Sequence, residues 1–329
     1  MELNPAARES QGSVWVKNAC LNNLHDVTVE FPLGVLTVVS GVAGSGKSSL
    51  VKSLVEQQPR VSMIDQAPLM ATRRSSLLTT LGIASAVRQE FSVASGLDKS
   101  WFSANGKGAC PACKGRGVIR VDMAFMDDVE TVCERCGGQK FNDKAIGVKL
   151  TRGNREWSIA DVLNASLDEV NELFSRLPKV KQVINLVSDV GLEYLTLGQT
   201  LDTLSGGELQ RIKLVKFLED YQDSSDTVIV LDEPTTGLHS RDVAQLANFC
   251  HELVNQGLTV IVVDHNLGFI ARADHVIDIG PGAGEHGGSV IYSGNPQGLI
   301  RCSKSVTGSW LRKAVEQGNT TVSGVSYNG

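Results

Sequence analysis

Aromatic side chains are scarce in this sequence: four Trp, four Tyr and nine Phe make up 5% of 329 residues. Its core must therefore be aliphatic, and a hydrophobic content of 42% supplies enough material. Long apolar runs are also missing. The longest, "TVIVLD" and "LTVIVVD", are strand-length, far short of the roughly 20 residues that a membrane helix needs. The opening "MELNPAARES" has no apolar signal region. These absences predict a cytoplasmic protein with no membrane partner. A disulfide framework is not expected either. Four of the seven cysteines are clustered and Cys20, Cys250 and Cys302 are scattered, whereas secreted scaffolds pair theirs at regular spacings. No internal repeat is visible, and the net charge of −5 gives no overall basic excess.

The charge is unevenly spread. Residues 66–152 carry 13 Lys/Arg against 8 Asp/Glu, and the rest carries 18 against 28. A basic segment in an acidic body can present a phosphate-binding face, although a chance fluctuation would look the same. The 33 glycines suit an α/β protein with tight loops. Strand-like runs alternate with helical periodicity: "LTVVS", a helix from about Ser48, "TVIVLD", a helix over 240–255, "LTVIVVD", "HVIDIG" and "GSVIYSG". That alternation predicts a largely parallel sheet with crossover helices. Helical spacing also runs through "SIADVLNASLDEVNELFSRL", over 180–190, and through "GELQRIKLVKFLED". Residues 1–12 and those after about 316 read as disordered or frayed, and 70–105 show no clear period.

Three motifs carry chemistry. "GVAGSGKSS" places Gly41, Gly44, Ser45, Gly46, Lys47, Ser48 and Ser49 between a strand and a helix. This is a phosphate loop: backbone N–H groups and the helix N-terminus cradle phosphates, Lys47 reaches the terminal ones and Ser48 ligates Mg²⁺. "TVIVLDEP" ends a strand in Asp232, suited to the Mg²⁺ shell, and Glu233, suited to activating water. Gln66 and His265 follow two other strands, where they can reach metal, water or γ-phosphate. A lone histidine in such a place is more often structural. "LSGGE" sets Ser205, Gly206, Gly207 and Glu208 at a helix start, a second phosphate-binding surface. "GAGEHG" over 282–287 matches a dinucleotide pattern, but a strand is expected after it, so it reads as a hairpin-like loop.

Cys110, Cys113, Cys133 and Cys136 form two Cys-x-x-Cys pairs nineteen residues apart. Four thiolates in two knuckles favour a closed, structural Zn²⁺ site. A redox pair and an iron–sulfur cluster are the alternatives.

The order of Lys47, Gln66, Ser205–Glu208, Asp232, Glu233 and His265, with the signature string "LSGGE", resembles the ABC-type ATPases. Added to the cysteine insertion and to "IDQAP", "LDEPTTGLH" and "DIGPGAGEHGG", it closely resembles the C-terminal ATPase half of UvrA, the damage-recognition ATPase of bacterial nucleotide excision repair. The resemblance implies an ABC-type phosphate-loop ATPase core with an inserted helical, zinc-binding arm (the signature domain). The implied divisions are core over 1–69, arm over 70–200 with its zinc module at 110–136, core again over 201–315, and a flexible tail over 316–329. It implies ATP, Mg²⁺ and Zn²⁺ as cofactors and ATP hydrolysis as the activity. Glu233, His265 and Gln66 would be catalytic; the phosphate loop, Gln66, Asp232 and Ser205–Glu208 would hold nucleotide. The implied partners are double-stranded DNA, met by Lys114, Arg116, Arg120, Arg135 and Lys140, and a second copy packed head-to-tail. Nothing corresponds to the UvrB-binding domain, so a UvrB-type partner is not expected. Asp264 stands where the family usually has Glu. A self-resistance or binding module for a DNA-targeting natural product or a protein partner is the alternative role. The zinc insertion argues against a transporter subunit.

Overall fold

A computed structural model describes residues 1–5, 7–65, 75–121, 129–220 and 227–322. Its strands are β1 (Ser13–Ala19), β2 (Val27–Pro32), β3 (Leu36–Gly41), β4 (Val61–Ile64), β5 (Val118–Val121), β6 (Val129–Val132), β7 (Leu150–Arg152), β8 (Arg155–Trp157), β9 (Val228–Asp232), β10 (Thr259–Val263), β11 (His275–Gly280) and β12 (Ser289–Gly294). The chain forms two compact units, Met1–Ala67 with Tyr221–Gly329, and Pro68–Asp220. The second unit takes in the helix Gly206–Asp220, at whose start the signature residues stand.

The first unit is built on a six-stranded sheet in the order β12-β11-β3-β10-β9-β4. The five strands from β11 to β4 run parallel and β12 closes one edge antiparallel. Continuous Val/Ile/Leu runs form the central strands because both faces are covered: β3 and β10 are buried along their whole length. A separate β1–β2 hairpin extends the aliphatic core through Val14, Val16, Val29 and Phe31. Gln57, at the end of the helix Lys47–Gln57, clips to it by bonding both backbone groups of Lys17.

The expected disorder at the N-terminus is corrected here. Asn4 donates its backbone N–H to Ala271 and its amide to Ala273 and Asp274. Arg8 bridges Asp274 at 2.9 Å, His251 and Asn255. Asp274 also accepts the N–H of Leu36 at 2.9 Å, so one buried carboxylate ties the N-terminal segment to the start of β3. At the other end, helix Val306–Val322 continues past the boundary expected at 316.

The second unit holds two hairpins, β5–β6 and β7–β8, and short helices. The stretch "SIADVLNASLDEVNELFSRL" does not form one helix. It breaks into Ile159–Asn164 and Leu167–Asn171, because Ser158/Asp161 and Ser166/Glu169 each close a capping box. The segment without visible period contains a helix, Ala84–Ser95. Only Val87 and Phe91 of it are buried, and Phe91 packs on Phe102 with ring centroids 5.3 Å apart. Among the described residues no helix is long and apolar enough to cross a membrane.

Asp274→Ala would leave the Leu36 amide and the Arg8 guanidinium without their shared acceptor. We expect a loss of about 3 kcal/mol of stability in a denaturant titration. A change below about 0.5 kcal/mol would show that the N-terminal segment is not anchored this way.

Candidate nucleotide site and cysteine centre

The register of the sheet assembles the site. Val263 of β10 pairs with Val39 of β3 on one side and with Asp232 of β9 on the other. The carboxyl ends of three adjacent strands therefore deliver the phosphate loop, the Asp232–Glu233 pair and Asp264–His265 to one edge, where ligands of open α/β sheets bind.

The phosphate loop runs from Gly41 (φ 139°) through Gly44 (φ 73°) to Gly46 (φ 109°), the residue before helix Lys47–Gln57. A Cβ on Gly41 would lie 2.1 Å from the Ile279 carbonyl oxygen, so only glycine fits there. Lys47 is buried and donates to the carbonyls of Gly41 at 3.1 Å and Val42 at 3.0 Å. Burial holds its pKa below the ordinary lysine value, against the pull of Glu233, Asp232, Asp264 and Asp278. Burial is also the main cause that raises the Asp232 carboxyl above its usual range, followed by the neighbouring Glu233; Lys52 and Lys47 offset part of this. Ser48 is exposed at the helix start, beside the loop. The Ser45 hydroxyl is buried and has no hydrogen-bond partner among the described residues. A buried hydroxyl left in this state is unfavourable. A phosphate oxygen in the loop would supply its partner, so the residues present fit a nucleoside triphosphate.

Glu233 adopts φ 50° and its N–H bonds the Val263 carbonyl, which turns the chain sharply after β9. Asp264 is buried and braces that turn: it accepts the N–H of Thr235 at 3.2 Å and of Asn266 at 2.9 Å. His265 is exposed at the end of β10. Gln66 lies outside the described residues.

The sequence reading missed the braces beneath the loop. The Asn23 amide donates to the carbonyls of Gly44 and Gly284, both at 3.1 Å. The N–H of Gly284 bonds the Gly44 carbonyl and that of Gly288 bonds the Ser45 carbonyl at 2.8 Å. Asn22 donates to the Ser49 hydroxyl at 2.9 Å. The "GAGEHG" stretch is followed by β12 and is the support of the phosphate loop, not a dinucleotide site. Its glycine density was the available signal: Gly288 (φ 74°) passes so close to Asn23 that a Cβ would stand 1.7 Å from the Asn23 carbonyl oxygen.

In the second unit Ser205 and Gly206 are exposed at the start of the helix Gly206–Asp220. Ser205 and Glu208 form a reciprocal cap, Ser205 N–H to Glu208 at 2.7 Å and Glu208 N–H to the Ser205 hydroxyl at 3.3 Å. Tyr194 donates to the second oxygen of Glu208. Glu208 thus acts as a helix cap, and the exposed groups left at the helix start are the Ser205 hydroxyl proton and the backbone of Gly206.

The four cysteines converge. Cys110, Cys113, Cys133 and Cys136 are buried with their sulfurs all within 4.8 Å of one another. The Cys110–Cys133 and Cys113–Cys136 separations are 4.0 and 3.7 Å. Tetrahedral Zn²⁺ with bonds near 2.3 Å needs sulfurs about 3.8 Å apart, so the residues fit zinc. Burial resists ionisation of Cys110, but N–H groups of Cys113 and Ala112 bring it down to about 7; burial pushes Cys136 up to about 12. Around this centre Lys114, Arg116 and Arg135 are exposed. Lys140 is turned inward, its ammonium 3.2 Å from the Gly198 carbonyl. Of Arg120, only its place in β5 is described.

The chain matches the family described as ABC transporter over residues 24–236. It is 39% identical to UvrABC system protein A of Staphylococcus epidermidis, over 92% of this chain and 35% of that protein. It is also 39% identical to the Clostridium perfringens protein of that name, over 95% and 36%. The crystal structure of UvrA2 from Deinococcus radiodurans superposes with a TM-score of 0.83 at 38% identity, covering 95% of this chain and 41% of that one. The chain belongs to the UvrA family. It spans about a third of the length of the curated relatives it matches. Its first unit is an ABC-type phosphate-loop ATPase core, and the cysteine centre sits in the inserted unit of this UvrA-type chain.

Two outcomes are expected. Gly288→Ala should displace the brace under Ser45 and weaken MgATP binding, read by calorimetry, by about tenfold or more; wild-type affinity would show that the loop holds itself. Metal analysis should find about one Zn²⁺ per chain. Cys133→Ser should lose that zinc while MgATP binding stays measurable; a zinc-free wild-type protein with an intact second unit would remove the metal assignment.

Proposed function

We propose that this UvrA-family chain hydrolyses ATP as a head-to-tail homodimer and binds double-stranded DNA through the face around its cysteine centre. The observation that carries the reading is the partnerless Ser45 hydroxyl in a loop whose lysine faces Asp232 and Glu233. A triphosphate with its metal ion would satisfy all of these groups together. Lys47 would exchange the Gly41 and Val42 carbonyls for the terminal phosphates, while Ser48 and Asp232 would hold Mg²⁺, which neutralises charge between phosphate oxygens when bound. Glu233 orients the attacking water and receives its proton. His265 would contact the γ-phosphate, and Gln66 would respond to the metal and the water.

The dimer follows from the groups each chain offers. One chain brings one Lys47 loop and one Ser205–Gly207 surface. A symmetric pair lets each surface close its partner's loop and leaves no open end. DNA binding is supported by membership of the UvrA family, which the resemblance links to DNA, and by the exposed Lys114, Arg116 and Arg135 near the cysteines. Side chains of this kind meet phosphate rather than bases, so affinity should be sequence-tolerant and steeply salt-dependent.

Glu233→Gln keeps the shape of the site and removes the base. It should hold MgATP without turnover and sediment as a dimer at micromolar protein, whereas Ser205→Arg should stay monomeric with ATP still bound. A monomeric Glu233→Gln protein in saturating MgATP would defeat the composite-site reading. Reversing Lys114 and Arg116 to Glu should lower the salt slope of duplex binding by about 2; an unchanged slope would move DNA to another face.

A further inference from the structure

A cavity of about 590 Å³ lies inside the unit Pro68–Asp220. Ala104, Val118 and Leu163 give it apolar walls, backed by the buried Phe102 and Phe141, and Arg88, Arg116 and Lys140 bring three cations to it. Its size is that of a pocket for a small organic molecule, and so is its mixture of rings and a few polar groups.

The two inward cations distinguish it from a surface dent. Arg88 projects from helix Ala84–Ser95, next to the buried Val87. Its Nε is buried with no hydrogen-bond partner, and the guanidinium makes no ion pair among the described residues. Burial holds its pKa below the ordinary arginine value. Lys140 spends one of its three N–H donors on the Gly198 carbonyl. Glu130 and Asp202 also line the cavity but are exposed, so they sit where water screens them. Both cations are half-buried, and a guanidinium whose Nε is buried without an acceptor is unfavourable; an anion that enters the cavity would supply Arg88 with that partner.

We propose that this cavity is a binding site for a small molecule with an apolar ring body and an anionic group, carboxylate or phosphate. The apolar lining residues Ala104, Val118 and Leu163 take the body, and Arg88 with Lys140 takes the anion. Arg116, exposed at the cavity and adjacent to the cysteine centre, is shared between this site and the proposed DNA face, so an occupant would compete with duplex for it. The site stands independently of whether the chain hydrolyses ATP.

The test is a fluorescence titration of the zinc-loaded full chain with anilinonaphthalene sulfonate, a ring body carrying a fixed anion. Saturable binding is expected, weakened by about tenfold or more in Arg88→Gln and partly restored in Arg88→Lys. Circular dichroism and zinc content should match wild type. Asn105→Trp, at an exposed lining position, should block the cavity without touching the core and serves if Arg88→Gln fails to fold. Naphthoate and phenyl phosphate then compete for the dye, and displacement by one or the other assigns carboxylate or phosphate. Equal affinity in wild type, Arg88→Gln and Asn105→Trp overturns the proposal, as does displacement by neither competitor.

Discussion

Lys47 is the point on which the first unit turns. It is a buried cation facing four carboxylates, Asp232, Glu233, Asp264 and Asp278. These acids come from three strands: Asp232 and Glu233 close β9, Asp264 follows β10, and Asp278 lies within β11. Only a parallel sheet in register brings such distant acids to one lysine. Asp278 shows how firmly they are held, since it accepts the hydroxyls of Ser40 and Ser305 at 2.7 and 2.6 Å. So much charge in a half-dry site is far from electrostatic comfort, and a polyanion with its divalent cation is the ligand that balances it.

The loop that carries Lys47 is stiff for reasons that lie elsewhere in the chain. Glycines let it fold around phosphate, but they also make it the least self-determined part of the core. Asn23 and the Gly284–Gly288 turn supply what the loop lacks, with bonds to the carbonyls of Gly44 and Ser45. Those carbonyls are fixed from below, which holds the peptide planes of the loop in place. Pre-setting the dipoles in this way spares the site their reorganisation when charge arrives.

Strands and the main helices could be read from the sequence because each obeys a local rule. "TVIVLD" is a buried strand bounded by a turn, and helix Ser240–Asn255 repeats its apolar face every three to four residues. The phosphate loop and the four cysteines were legible because their spacing is the chemistry itself. Other features failed for stated reasons. Periodicity ran across Ser166 because Leu163 and Leu167 keep helical spacing even though the chain breaks between them; the Ser-x-x-Glu box at Ser166 was the cue. Arg8 looked like part of a polar tail because its partner, Asp274, lies 266 residues away. Lys140 read as a surface cation because nothing local shows that it points to Gly198. For Arg8 and Lys140 the deciding partner was distant, and spacing carries no information about distant partners.

The cysteine centre follows a different logic of stability. Strands β5 and β6 have four residues each, and such a ribbon is marginal by itself in water. The buried cluster at its base consists of the four cysteines alone, while Ile119 and Val132 on the strands remain 41% and 64% exposed. Ile119 and Val132 therefore add little aliphatic burial to this ribbon. Ligation by thiolates can hold it without apolar area, and the free energy of metal binding becomes folding free energy. The arrangement leaves the outer surface of the ribbon free of core duty. Apolar Ile119 and Val132 can therefore stand beside Lys114, Arg116 and Arg135, a mixture that a self-sufficient hairpin of this size could not keep exposed and still fold.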